Sequence, residues 1–126
     1  MNSIYLVDDQ PITNFITRKL LEVEGITTKI KEFTNPLIAL EELEELEEDS
    51  DPFIFLDLNM PEMTGWEFLD SLKSKNHYPK IVILTSSTSE LDLMKAKDYP
   101  CVIDYIIKPF SKLKFSKLAT HLKTAS

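Results

Sequence analysis

Short apolar runs alternate with amphipathic segments along the whole chain. Four of the runs have a strand-like composition, at residues 3–7, 52–56, 80–84 and 102–107. A fifth segment, 27–33, is polar at alternate positions, which is typical of a strand at the edge of a sheet. Strands that alternate with helices along a chain predict an α/β fold built on a parallel sheet.

Five helices are predicted between and after these strands, because each intervening segment carries apolar residues at helical spacing. Proline in a first turn, Asn or Ser as N-cap and Gly after a last turn mark the helix ends. The predicted helices run from Pro11 to just before Gly25, from Pro36 behind an Asn35 N-cap to about Glu48, onward from Gly65, from a Ser89 N-cap to Pro100, and from about Ser111.

The apolar residues of these helices indicate the faces that pack on the sheet. They are Ile12, Phe15, Ile16, Leu20 and Val23 in the first helix; Leu37, Leu40, Leu43 and Leu46 in the second; Trp66, Phe68, Leu69 and Leu72 in the third; Leu91, Leu93, Met94 and Ala96 in the fourth; and Leu113, Phe115, Leu118 and Leu122 in the fifth. For Ile12 and Phe15, contact with a partner protein is an alternative to core packing. The glutamates between 41 and 48 indicate a solvated face rather than a cation site.

Five strands and five helices fit one domain, and we expect residues 1–126 to form it. The predicted architecture is a doubly wound, five-stranded parallel sheet of the flavodoxin-like type. A formal net charge of -7 argues against direct nucleic-acid binding, and the lone Cys101 excludes an internal disulfide. With no signal-peptide pattern and no apolar stretch near the roughly 20 residues that span a bilayer, we expect a cytoplasmic location and no membrane contact.

Reactive side chains directly follow four of the predicted strands. Asp8 and Asp9 follow the first, Asp57 the third, Thr85 the fourth and Lys108 the fifth. Because the carboxyl ends of parallel strands meet in one crevice, we expect these groups to lie together. Each has an ordinary explanation when taken alone, as a helix cap, a strand end or a turn. Their joint placement in one small domain indicates a site.

Three carboxylates and one ammonium leave two uncompensated negative charges in this crevice at neutral pH. A divalent cation would balance them, and all-oxygen ligands with an incomplete protein shell favour Mg2+. A carboxylate beside Mg2+ and a lysine can act as a nucleophile toward phosphorus, because both cations offset charge on the transferring oxygens. Asp57, at the end of the most apolar strand, fits that role best.

Over essentially its full length the chain resembles the receiver domain of bacterial two-component response regulators, which has a (βα)5 fold. The combination of matching residues is specific, whereas any one of them alone would be weak. The matching residues are Asp8-Asp9, Asp57, Met60-Pro61-Glu62-Met63-Thr64-Gly65, Thr85, Tyr105 and Lys108-Pro109-Phe110.

The resemblance implies a phosphoacceptor signalling switch of a phosphorelay, not an enzyme. Asp57 would accept a phosphoryl group from a phosphohistidine, supplied by a sensor histidine kinase or a histidine phosphotransfer protein. Asp9, Asp57 and the backbone carbonyl of Asn59 would ligate Mg2+. Asp8 would act mainly through a metal-bound water.

The resemblance also implies how the switch would operate. Lys108 would pair with one phosphoryl oxygen, the Thr85 hydroxyl would move to another, and Tyr105 would then rotate inward. A downstream protein target would bind the face formed by the fourth helix, the fifth strand and the fifth helix. The family pattern further implies a cis peptide before Pro109, which an X-Pro bond tolerates at small cost.

Three interpretations follow. A stand-alone receiver is favoured, because the length leaves no room for an output domain; a receiver fragment of a hybrid kinase or transcription regulator is an alternative. A haloacid-dehalogenase-type phosphatase would need a second acid two residues after its nucleophile, where this chain has Asn59 after Asp57 or Gln10 after Asp8.

The chain departs from the receiver family at Pro100-Cys101-Val102. The family commonly has a small Gly-Ala pair there, so we expect the output surface near the end of the fourth helix to have a different shape.

Overall fold

The computed structural model describes residues 3–46, 50–74, 79–108 and 112–125, without the side chains of 112–114, 121 and 123–125. Strands and helices alternate through these residues as the apolar pattern predicts. The elements are β1 (Ser3–Val7), α1 (Pro11–Val23), β2 (Ile30–Phe33), α2 (Pro36–Glu44), β3 (Pro52–Leu56), α3 (Gly65–Ser74), β4 (Lys80–Thr85), α4 (Glu90–Ala96), β5 (Val102–Ile107) and α5 (Lys112–Ala125).

The five strands form one sheet in the order β2-β1-β3-β4-β5, and every neighbouring pair is parallel. This order confirms the doubly wound, flavodoxin-like prediction and the position of β2 at an edge. The strand order reverses beside β1, so that the ends of β1 and β3 flank the crevice in which open α/β sheets bind ligands.

Side chains that alternate along the strands build one core on each side of the sheet. On one side, strand residues such as Val7, Leu56 and Ile83 pack with residues of α2, α3 and α4. On the other side, Phe55 and Leu84 belong to a cluster with residues of α1 and α5. Because β3 is buried on both faces at every position, its five residues read as a continuous apolar run.

Several predicted helix ends are confirmed. Pro11 lies in the first turn of α1, and Gly25 follows that helix with a φ of 79°, a conformation that glycine adopts without strain. Asn35 caps α2 by accepting a hydrogen bond from the Leu37 N–H, and Ser89 is the N-cap residue of α4. The Ser89 side chain makes no capping hydrogen bond.

Three predicted boundaries are wrong. β2 is shorter than 27–33, and α4 ends at Ala96, before Pro100, in turns closed by Asp98 and Tyr99 N–H groups. α2 ends at Glu44 instead of continuing to about Glu48. Acidic residues repeated at the end of a helix oppose its dipole and repel one another, which explains the early end. Residues 47–49 lie outside the described part of the chain.

The predicted packing faces of α1 and α4 are largely wrong. Most of the apolar residues predicted to pack from these two helices are exposed, and so is Leu37 of α2; the exposed residues of α1 and α4 are Ile12, Phe15, Ile16 and Val23, and Leu91, Leu93 and Met94. The face that α1 buries consists of Thr13, Asn14, Thr17 and Leu21. Hydrogen bonds explain why polar residues are buried on this face of α1. Thr17 donates to a carbonyl of its own helix, and Asn14 donates to the carbonyls of Asp8 and Phe33.

The packing sets of α3 and α5 are confirmed where they are described. Phe68, Leu69 and Leu72 are buried, and Trp66 is half-buried against the same core. Phe115, Leu118 and Leu122 are buried in α5, whereas the side chain of Leu113 lies outside the described residues. Among the described helices, none is long and apolar enough to cross a membrane. The expected cytoplasmic location stays a prediction.

Candidate functional site

Four loops at the carboxyl edge of the sheet carry the predicted site residues. Asp8 and Asp9 follow β1, Asp57 follows β3, Thr85 ends β4 and Lys108 follows β5. The three aspartates each offer one carboxylate oxygen within 4.8 Å of the others. Thus residues far apart in sequence converge in one crevice, as the sheet geometry predicts.

Lys108 contacts two of these carboxylates. Its ammonium lies 2.6 Å from Asp8 Oδ2 and 3.9 Å from Asp57 Oδ1. All three side chains are largely shielded from water, with exposed fractions of 19% for Lys108, 5% for Asp8 and 8% for Asp57. A charge-assisted hydrogen bond therefore ties the end of β5 to the end of β1 across the site.

Asp57 is the most perturbed acid of the site. Its pKa is raised from an ordinary 3.8 to about 6, mainly by burial, then by the charge of Asp8 and to a smaller extent by that of Asp9. The charge of Lys108 and a hydrogen bond from the Asn59 N–H lower the pKa and only partly offset these effects. The Asp57 carboxylate is thus crowded by negative charge that one lysine does not balance.

The residues fit a small oxygen-preferring divalent cation. The aspartate oxygens converge and carry an excess of negative charge, and no nitrogen or sulfur ligand belongs to the cluster found among the described residues. Asn59 donates its backbone N–H to Asp57 Oδ1 over 3.4 Å, which places the residue beside the cluster. That its carbonyl ligates the metal stays a prediction.

Gly65 seats α3 directly against the segment that carries Asp57. A Cβ atom at position 65 would lie 2.7 Å from the Asp57 carbonyl oxygen and 2.9 Å from the Leu58 Cα, and the Gly65 N–H donates to the Leu58 carbonyl. Thr64 and Glu67 exchange side-chain hydrogen bonds with each other's N–H groups, which is a capping box at the start of α3. The Thr64-Gly65 pair therefore fixes the loop that leaves Asp57.

Sequence reasoning missed two contributors to the site. The Gln10 N–H donates to Asp8 Oδ1 over 2.9 Å, and the Asn14 amide donates to the Asp8 carbonyl over 3.2 Å. The Gln10 N–H and Lys108 thus hold the two oxygens of the Asp8 carboxylate, while Asn14 holds the backbone of the same residue. An asparagine inside a helix, here the fourth residue of α1, competes with the helical hydrogen bonds, and this could have served as the signal.

Thr85 and Tyr105 lie on neighbouring strands beside the loop between β4 and α4. Thr85 is fully buried, and its hydroxyl accepts a hydrogen bond from the Ser87 N–H. Tyr105 is half-buried, and burial and the charge of Asp92 raise the pKa of its phenol. The predicted cis peptide before Pro109 lies outside the described residues.

The chain belongs to the family of the response regulator receiver domain, whose pattern matches residues 4–120. The matched range includes the three aspartates, Thr85 and Lys108. It favours the receiver interpretation over the haloacid-dehalogenase alternative.

The chain is 35% identical over 94 residues to the nitrate/nitrite response regulator protein NarL of Escherichia coli K12, covering 75% of this chain and 42% of NarL. It is 33% identical over 113 residues to the transcriptional regulatory protein CpxR of the same organism, covering 88% of this chain and 44% of CpxR. The chain thus spans less than half the length of either relative.

The signal receiver domain of a putative LuxO repressor protein from Vibrio parahaemolyticus has a similar structure. Its TM-score is 0.82 at 22% sequence identity, with 98% of this chain and 92% of that chain covered. A structural similarity at 22% sequence identity is evidence for the fold of this chain and for nothing more specific. Together with the family match, it shows that this chain contains a response regulator receiver domain of the flavodoxin-like type.

Proposed function

We propose that this chain is a phosphoacceptor switch in which Asp57 takes a phosphoryl group from a phosphohistidine. The observation that carries the proposal is the position of Asp57, a buried acid within reach of two other aspartates and Lys108. Its raised pKa of about 6 leaves most of the carboxylate ionised at pH 7, the form that can attack phosphorus.

The proposed transfer forms one bond and breaks one bond. A carboxylate oxygen of Asp57 bonds to phosphorus while the bond between phosphorus and the donor imidazole nitrogen breaks, and the bonding electrons leave with that nitrogen. The product is an acyl phosphate on Asp57 and a histidine. Negative charge on the transferring oxygens increases around a site that Lys108 alone does not neutralise, so additional positive charge is required.

Asp9, Asp57 and the Asn59 carbonyl would hold the Mg2+ that supplies this charge, and Asp8 would act mainly through a metal-bound water. When bound, the metal neutralises the carboxylates and offsets charge on the phosphoryl oxygens. Lys108 is currently held by Asp8, and a phosphoryl group on Asp57 would offer it a second anionic partner at the same site.

The switch would act through Thr85 and Tyr105. A phosphoryl group adds roughly -1.5 to -2 charges and three acceptor oxygens, which favour any arrangement that brings donors to them. Thr85 ends the strand next to β3 and carries such a donor. Movement of its hydroxyl toward the phosphoryl group would leave space for the Tyr105 ring, and the change would reach a protein target on the face of α4, β5 and α5.

The donor would dock on the start of α1. Ile12 and Phe15 are 62% and 52% exposed, and the helix that carries them begins three residues after Asp8. Apolar side chains that are exposed together mark a surface for a protein partner. The histidine of a kinase or phosphotransfer protein could reach Asp57 from this surface.

Acetyl phosphate labelling tests the proposed function. The parent, incubated with acetyl phosphate and Mg2+, should gain the mass of one phosphate, whereas Asp57→Asn should gain none. Glu62→Gln removes an exposed acid from the loop after Asp57 and should be labelled like the parent. Labelling that persists in Asp57→Asn, or that is indifferent to removal of Mg2+ by a chelator, would contradict the proposal.

A further inference from the structure

The loop between β4 and α4 is closed by a chain of hydrogen bonds centred on Ser87. The Ser87 N–H donates to Thr85 Oγ1 over 3.1 Å, and the Ser87 hydroxyl accepts from the Ser89 N–H over 3.2 Å. The same hydroxyl donates to Asp92 Oδ2 over 2.6 Å. Thus Asp92, in the first turn of α4, is connected to Thr85 through a single residue.

Of the three hydrogen bonds that Ser87 makes here, the one to Asp92 is the shortest and the one with a charged partner. An ionised acceptor makes a short hydrogen bond, roughly twice as strong as one between neutral groups. The bond is partly buried, so water competes for it only weakly. Because Asp92 belongs to α4 and Ser87 to the preceding loop, the bond holds the loop against the helix.

Tyr105 lies beside the same pair. Its buried hydroxyl oxygen lies beside the Ser87 side chain, and burial and the charge of Asp92 raise the pKa of its phenol. Ser87 belongs to the β4–α4 loop and Asp92 to the first turn of α4, so movement of this loop changes the surroundings of Tyr105. The loop held by Asp92 is part of those surroundings.

We propose that Asp92 is a positioning residue that acts through Ser87 to hold Thr85 and the β4–α4 loop in the unphosphorylated arrangement. The inference rests on the proposed function. Displacement of the Thr85 hydroxyl toward a phosphoryl group would break its hydrogen bond from the Ser87 N–H unless Ser87 moves with it, and Ser87 is held by Asp92. The bond is therefore present in one state and opposes the other, and its removal should favour the phosphorylated arrangement.

Binding of beryllofluoride, with Mg2+ at a fixed saturating concentration, tests this assignment. Amide resonances would report the apparent dissociation constant for the parent, Asp92→Ala, Ser87→Ala and the double variant. We expect each single variant to bind about tenfold more tightly than the parent, the effect of losing one charge-assisted hydrogen bond. The double variant should gain no more than either single variant, because both remove the same bond.

Glu90→Ala is the matched control. Glu90 is an exposed acid in the same first turn of α4, so its removal changes the charge and the helix dipole as Asp92→Ala does. We expect it to bind within about twofold of the parent, since it lacks the hydrogen bond to Ser87. Asp92→Asn, which keeps an acceptor oxygen, should fall between Asp92→Ala and the parent.

A second measurement separates positioning from simple structural support. Urea unfolding without Mg2+ or beryllofluoride should find Asp92→Ala less stable than Glu90→Ala, even though it binds beryllofluoride more tightly. Reduced stability of Asp92→Ala without tighter binding of beryllofluoride would overturn the inference about Asp92. It would leave the proposed function intact, because the parent still binds beryllofluoride.

If Asp92→Ala does not fold, Asp92→Asn replaces it, and beryllofluoride binding by Asp92→Asn equal to that of the parent would overturn the inference. If the parent itself fails to bind, both proposals are wrong.

Discussion

The Lys108 ammonium is closer to Asp8 than to Asp57, at 2.6 Å against 3.9 Å. The lysine thus compensates the acid that is also held by the Gln10 N–H, while Asp57 keeps an excess of negative charge around it. Burial is the main cause of the raised pKa of Asp57, and this unequal distribution explains why the lysine in its crevice does not offset that effect. It also leaves Asp57 as the acid whose modification or metal binding changes the local charge balance most.

Asp57→Asn should stabilise the protein at neutral pH in the absence of metal. The folded pKa of about 6 exceeds the unfolded 3.8, so the folded state binds the proton more tightly and the charged form is disfavoured on folding. At about 1.4 kcal/mol per pKa unit, the variant should be more stable than the parent by up to about 3 kcal/mol at pH 7.

The raised pKa of Asp57 also determines how the stability advantage of Asp57→Asn depends on pH. As the pH falls through 6 toward 4, Asp57 of the parent becomes protonated and the destabilisation disappears, so the advantage of Asp57→Asn should shrink. Urea unfolding at pH 7 and pH 5 measures both values. Asp98→Asn, which changes an exposed acid outside the crevice, is the control and should alter stability little. An advantage that is absent at pH 7 or grows toward acid pH would be incompatible with charge crowding.

Mg2+ should raise the melting temperature of the parent, because it relieves the repulsion among Asp8, Asp9 and Asp57 and binds only the folded crevice. Asp9→Asn should lose more of this increment than Asp8→Asn, since Asp9 is the proposed direct ligand and Asp8 is occupied by Lys108. Thermal melts with and without Mg2+ compare the increments. Equal losses, or a larger loss for Asp8→Asn, would reverse the proposed order.

Ile12→Glu should slow phosphotransfer from a phosphorylated histidine donor by at least about tenfold, because a charge at the centre of an apolar contact is not desolvated without cost. Val23→Glu is the matched control, since Val23 is a similarly exposed apolar residue at the other end of α1. Both variants should be labelled by acetyl phosphate like the parent. Unchanged donor transfer in Ile12→Glu would refute docking on this surface.

Gly65→Ala should destabilise the fold by at least about 2 kcal/mol, because the new methyl group would overlap backbone atoms of Asp57 and Leu58. Gly25→Ala meets no atom within 4 Å and should cost only about 1 kcal/mol, from its positive φ. Urea unfolding compares the two variants. Only Gly65→Ala should also slow acetyl phosphate labelling of Asp57. Similar effects of both substitutions on labelling would show that Gly65 has no specific role in shaping the site.

The sheet and its crevice could be predicted because they depend on contiguous sequence features. A central strand such as β3 is buried on both faces, so its apolar run reads directly from the chain, and the residue after it is placed at the carboxyl edge. Asp57 and Lys108 therefore meet without any helix having to be placed correctly.

The helix faces could not be predicted in this way, because the signal for burial is not hydrophobicity alone. Asn14 and Thr17 are buried because their polar atoms find backbone carbonyls, at the end of β1 for Asn14 and within α1 for Thr17. Ile12 and Phe15 remain exposed. The hydrogen bond between Ser87 and Asp92 could not be predicted from the sequence either. A run of serine and threonine is typical of a loop, and nothing in the pattern indicates which acid of the next helix it contacts.

The most direct test of the phosphoacceptor role is chemical mapping of the modified residue. Borohydride reduces an aspartyl phosphate to homoserine, so the parent can be labelled with acetyl phosphate and Mg2+, reduced, digested and sequenced by tandem mass spectrometry. We predict homoserine at position 57 and aspartate at positions 8 and 9. Homoserine at another aspartate, or none in protein whose intact mass carries a phosphate, would contradict the assignment of Asp57.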